Sequence, residues 1–135
     1  MIKDDLTLTG AVSIALNGQV VQEIPNLVVT AGKNWVADRM NNANTVMTHM
    51  AIGTSSTTAA VGQTTLVAET ARGALTSTNV SANVITYVET FAAGTGTAAL
   101  TEAGVFDAAS GGDMLCRTVF AVVNKGSADS MTITW

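Results

Sequence analysis

A chain of 135 residues and 13.8 kDa is long enough for one domain with a single buried core. Apolar residues make up 47% and charged residues only 12%, about half the charged share of an ordinary soluble domain, so part of the surface is hydroxyl-rich or covered by other subunits. The six basic and ten acidic residues, net charge −4, are scattered without a cationic run, which excludes a nucleic-acid-binding face.

No apolar stretch reaches the length of a membrane span, and no basic-plus-apolar signal segment opens the chain. The expectation is a protein made in the cytoplasm and soluble there. The single cysteine, Cys116, rules out an intramolecular disulfide.

From Leu6 to Leu16 the side chains alternate, with Leu8, Val12, Ile14 and Leu16 on one side and Thr7, Thr9 and Ser13 on the other. That period of two predicts a strand with one buried face. Asn17-Gly18 turns the chain and QVVQEI returns. A three-residue loop with a bulge at the glycine sets Val20 opposite Ile14 and Ile24 opposite Gly10. It therefore gathers the bulky groups better than a strict two-residue turn. Pro25 ends the ladder. LVVT is a short strand broken by Ala31-Gly32, and KNWVADRMNN is the one helix candidate, with Trp35, Val36, Ala37 and Met40 on its apolar side and Asn41, Asn42 and Asn44 ending it. A lone helix must cover an apolar face, which places Trp35 at least half buried.

A strand over 46–52 follows, with Met50 and Ile52 on one face, then a loop-like stretch from Gly53 to Thr65. LVAETAR fits either one helical turn or the lead-in to a strand at GALTSTNV. NVITYVETF, LTEAGVFDA, MLCRTVFAVV and the terminal MTITW read as strands separated by glycine turns. The result is an all-β, antiparallel, jelly-roll-like sandwich of about eight strands and one short helix. It forms a single domain over residues 1–135: an N-terminal hairpin and strand over 1–30, the helix over 31–42, and the remaining strands over 46–135.

Few residues are equipped for chemistry. His49 is the only histidine, and a metal site needs three or four convergent ligands. Cys116 in MLCRTVF reads as a small buried hydrophobe. Glu69 and Arg72 pair with each other if LVAETAR is helical, or bind backbone where the loop joins the sandwich. Glu102, Asp107 and Asp113 match no calcium loop, and Asp107 and Asp113 suit turn capping beside the glycines. Glu89 with Glu102 is arithmetically a carboxylate pair but has no supporting context. The glycine segments lack a phosphate-loop ending. The reading is of a non-enzyme with no cofactor and no metal.

Several segments together resemble a module of tailed-bacteriophage virion proteins. They are NLVVTAGKNW, the AIGT strand at residues 51–54, Leu66, Glu69 and Arg72 as L-x-x-E-x-x-R, EAGVFDAASGGDMLCRTVF from Glu102 to Phe120, and the closing TITW. The resemblance spans Asn26 to Trp135, departs at Ser55 where the family more often has a second glycine, and brings no catalytic residues. It implies a virion structural protein, and it makes Glu69 and Arg72 a structural clamp.

Two functions compete within that implication. Small size and one compact module favour a capsid decoration or cement subunit, a homotrimer docked on the major capsid protein. The alternative is a tail-fibre, collar or small receptor-binding component recognising host glycans, for which Trp35, Tyr87 and Trp135 are the aromatic candidates. Contacts are expected from the N-terminal segment, Met1, Ile2, Lys3, Asp4 and Asp5, and from the loop over 53–65, both of which lack the periodicity of packed elements.

Overall fold

Ten strands and one helix follow one another in the computed structural model, which describes residues 7–41 and 45–135. In chain order they are β1 (Ala11–Leu16), β2 (Gln19–Pro25), β3 (Leu27–Val28), α1 (Thr30–Asn41), β4 (His49–Gly53), β5 (Glu69–Ala74) and β6 (Ser77–Ser81), then β7 (Val84–Phe91), β8 (Ala98–Phe106), β9 (Met114–Lys125) and β10 (Met131–Thr134). The strands form two five-stranded sheets, ordered β2-β1-β10-β7-β6 and β3-β9-β8-β4-β5. Every ladder is antiparallel. The two sheets pack face to face as an all-β sandwich.

The strand begins at Ala11, and Leu8, expected on the buried side, is 40% exposed. Within β1 the alternation holds, with Val12 and Ile14 fully buried. They meet Met50 and Ile52 of β4, Val105 of β8 and Met131 and Ile133 of β10 in the inter-sheet core. The ambiguous stretch after Leu66 resolves into two strands, β5 and β6, on different sheets. That division raises the count from about eight to ten.

The first hairpin departs from the expected register. Leu16 pairs with Gln19 across a two-residue turn, Asn17 and Gly18, whose φ angles are +50° and +79°. Both residue types tolerate positive φ, so the tight turn that matches strand twist is available and is adopted. The bulge lies within the strand instead, between Ile14 and Ala15, and it sets Ile24 opposite Val12. Val20, expected opposite Ile14, faces Ala15 instead and is 61% exposed, so neither expected pairing forms.

The helix differs too. Gly32 is its buried residue, and a Cβ there would lie 2.0 Å from the Leu115 carbonyl oxygen. Ala31-Gly32 is therefore a close approach of helix to β9 and not only a strand breaker. Trp35 is partly buried against the core. Met40, placed on the apolar side by its spacing, is 79% exposed, because a helix seated through one glycine near its start swings its last turn clear of the sheet. Leu6, Asn42 and Asn44 lie outside the described residues.

The opposite end is closed by polar bonds. Lys125, buried in β9, donates to the carbonyls of Ala92 (2.9 Å) and Asp129 (2.7 Å). Asn17 donates to the Asp129 carboxylate at 2.8 Å, and that bond, with a second from the Gly126 amide, holds the carboxyl below its usual range. On the flank, the Gln22 side chain bonds both backbone groups of Ala121, tying β2 to β9.

Ala82, in the turn joining β6 to β7, has φ +52°, a conformation that crowds an L-residue's Cβ. Ala82→Gly is expected to stabilise the fold by about 0.5–1 kcal/mol, read as a higher urea midpoint at unchanged slope.

Candidate functional site

Two features outside the inter-sheet core gather the chain's distinctive residues. One is the outer face of the second sheet, covered by the loop over 54–68. The other is an apolar groove at the open end of the sandwich.

On the outer face, period-two alternation puts Glu102, Gly104 and Phe106 of β8 on the side away from the core, with Arg117 of β9 opposite Gly104. Glu102 and Arg117 are fully buried. Arg117 Nη2 donates to Glu102 Oε2 at 2.7 Å and Nε donates to the same oxygen at 3.0 Å. Its Nη1 reaches the Thr57 carbonyl (2.9 Å) and the Gln63 side-chain oxygen (3.0 Å). Glu102 accepts from the backbone N–H of Ala68 (2.7 Å), Val67 (3.1 Å) and Ser55 (3.4 Å). Gly53 pairs with Glu102 across the ladder, and a Cβ there would lie 2.3 Å from the Ala68 carbonyl and 2.6 Å from Glu102 Oε1. Only a glycine leaves room for the carboxylate and the returning loop.

Beside this pair, Leu66, Phe106 and Met114 form a second apolar cluster with Val29 and Ala51. Arg72 lies across it, its guanidinium carbon 3.7 Å from the Phe106 ring centroid. The segment is strand and not helix, yet Glu69 and Arg72 meet, because a bulge between Ile52 and Gly53 restores both to one face. Arg72 grips the Glu69 carboxylate at 2.9 and 2.8 Å and donates to the carbonyls of Ala108 and Gly111, both at 2.9 Å. Both contacts expected of this pair, with each other and with backbone, are therefore made. Asp107 Oδ1 accepts the Asp113 N–H at 2.7 Å, closing the same glycine turn.

The groove holds about 790 Å³ and is lined by Trp35, Val36, Ile85, Tyr87, Cys116 and Trp135, among others, within the size range of ligand pockets. Glu23 is the charged side chain among the described residues on its wall. Burial pushes the Cys116 thiol up to about 12, against a smaller lowering by the Asn26 side-chain hydrogen bond. Burial, reinforced by Cys116, pushes the Tyr87 hydroxyl up to about 12 as well. Both groups are therefore neutral at physiological pH, and the groove is mostly apolar with Glu23 on its rim. Trp35 Nε1 donates to the Thr45 carbonyl at 3.1 Å. Trp135 Nε1 and Asn26 Oδ1 are buried with no partner among the described residues.

The other candidates fall apart spatially. The Thr48 hydroxyl lies 2.7 Å from His49 Nδ1 at the start of β4. Glu89 belongs to the first sheet, where its Oε2 accepts from the Thr76 hydroxyl at 3.0 Å, while Glu102 is committed to Arg117. No three His, Cys, Asp or Glu side chains converge among the described residues. Met1, Ile2, Lys3, Asp4 and Asp5 lie outside the described residues. Compared with known proteins, the chain matches no family model, no curated protein and no solved structure.

The Glu102–Arg117 pair was not read from the sequence as a pair. Its signal was present: isolated charges within strand patterns, with Gly53 and Gly104 nearby to make room.

Glu102→Gln is expected to cost about 3–5 kcal/mol, because a buried guanidinium loses its charge partner; urea unfolding measures the loss. Amide exchange at Val67 and Ala68 is expected to quicken before global unfolding does. Cys116, buried and neutral, is expected to resist a thiol reagent at pH 8 and to react once the chain unfolds; equal rates in folded and unfolded protein would contradict its placement.

Proposed function

We propose that the chain is a non-enzymatic structural protein of a tailed-bacteriophage particle, made in the host bacterial cytoplasm and carried on the capsid surface as a decoration or cement subunit. One observation carries the reading. The residues on which the resemblance rests are far apart in sequence, yet Gly53, Leu66, Glu69, Arg72, Glu102, Phe106 and Arg117 meet on one face. A shared pattern that encodes one packed unit is better support than one made of unconnected positions. The motif's charged groups are consumed in holding that unit, which suits an architectural role.

Surface composition supports an assembled state. Of the six basic and ten acidic residues, Glu89, Glu102, Arg117 and Lys125 are buried, so the outside is poorer in charge than composition alone implies. Large uncharged faces mark contact surfaces. The proposed assembly is a homotrimer docked on the major capsid protein.

One observation favours the alternative of a tail-fibre, collar or receptor-binding component. The three aromatic candidates, Trp35, Tyr87 and Trp135, all line one groove, where a sugar ring can stack on the face of the partly exposed Trp35. Quenching or shift of tryptophan fluorescence by host-surface glycans would favour this reading over the capsid one.

Mass spectrometry of gradient-purified particles, with electron cryomicroscopy to locate the sandwich, tests the proposal. Density on the capsid exterior is the expected result, and density on the tail selects the alternative. Absence from particles in cells that make the chain overturns both. Deleting residues 1–5 is expected to leave the circular dichroism unchanged while lowering occupancy on the capsid.

A further inference from the structure

Four strands sit at sheet edges, and three of them carry features that discourage pairing with another chain. β2 contains a bulge, Glu23 and Pro25, and its Gln22 is bonded to Ala121. β3 is two residues long and runs into the helix. β5 is bulged and bears the Glu69–Arg72 ion pair. β6 has none of these. Its sequence is STNVS, with all five residues exposed, and it pairs with β7 in unbroken register from Ser77↔Val88 to Ser81↔Val84. It carries no charge, no proline and no bulge, and its free side presents backbone N–H and C=O groups at alternate residues.

The face of this hairpin that continues the inner surface of the sandwich is also uncovered. Val80 pairs with Ile85 across the hairpin. Ile85 has the same parity as Tyr87 and Phe91, which are core. Yet Val80 is 66% and Ile85 44% exposed, so this end of the face has little cover among the described residues.

We propose that β6 is a self-association edge: two copies of this chain pair β6 to β6 antiparallel about Asn79, joining their first sheets into one continuous sheet. Self-complementarity selects a second copy as the occupant. In full overlap, Ser77 faces the partner's Ser81 and Thr78 faces the partner's Val80. No like charges oppose each other, and β-branched residues are paired on the apolar face. Val80 then lies between its own Ile85 and the partner's Thr78, which adds cover at this end of the face. The contact is isologous, the same patch from both copies. It joins two protomers, or links one larger ring to the next, and is independent of the virion reading.

Asn79 lies on the two-fold axis and is exposed, so each copy meets the other's residue at that position. N79K and N79E should each weaken association at least about tenfold through self-repulsion, while an equimolar mixture regains or exceeds wild-type association. Sedimentation equilibrium over a concentration series reads this. The wild type is expected to show a species of twice the mass left in either variant. Thermal unfolding checks that each variant is folded, and N79S, which keeps the edge neutral, is expected to associate like the wild type. A wild type with no doubling of mass, variants that associate as the wild type does, or a mixture that fails to recover would each overturn the proposal.

Discussion

The buried pair of Glu102 and Arg117 is the constraint around which the second sheet is organised. A sandwich ordinarily buries one face of each sheet and leaves the other to water. Here both faces of β8 are covered, and its residues from Glu102 to Phe106 are all buried. The covering layer is the loop over 54–68, in which Leu66 is the one buried side chain, so burial alone holds it weakly. Charge-assisted hydrogen bonds, each stronger than a neutral one, fix it instead. Arg117 reaches the loop's carbonyl and amide oxygens, and Glu102 takes its backbone N–H groups.

This changes how the pair's energetics are to be judged. Swapping a buried ion pair for apolar residues is often neutral or stabilising. Here such a swap would also remove the partners of the part-buried N–H groups of Val67 and Ala68 and the carbonyl of Thr57, each a further loss. The pair's value lies in these backbone anchors more than in its mutual attraction. Arg72 repeats the device on β5 at the sheet edge, two strands from β8, combining a carboxylate, two carbonyls and the Phe106 ring.

The two sheets therefore differ in character. The second is sealed by its clamped loop, with its charges turned inward. The first shows a polar outer face and an uncharged edge at β6, and at one end lies the mostly apolar groove. Buried charge and bare surface are linked: each ionic group spent on an internal anchor is one fewer to keep the exterior apart from neighbours. A chain built this way is suited to assembly.

The sequence by itself determined the fold class, the one helix, and the core strands β1, β4, β9 and β10, because period-two alternation reports directly which face is dry. It also marked Glu69 and Arg72 as partners, and glycine turns as boundaries. Tertiary structure alone decided what lies more than one strand away. The hairpin register turned on a bulge at Ile14–Ala15 that local pattern could not place, since the register that best gathers bulky residues is not the one the tight Asn17-Gly18 turn adopts. Met40 emerged exposed because the helix's seating depends on the contact of Gly32 with Leu115, which no helical spacing encodes. Glu102 and Arg117 met because antiparallel pairing of β8 with β9 set them as diagonal neighbours beside Gly104. The groove is lined by residues of both sheets and the helix, bringing Trp35, Tyr87 and Trp135 together from separate parts of the chain. Local patterning specifies a residue's face, whereas its partner across the face is set by pairing between distant segments, and that is a property of the folded whole.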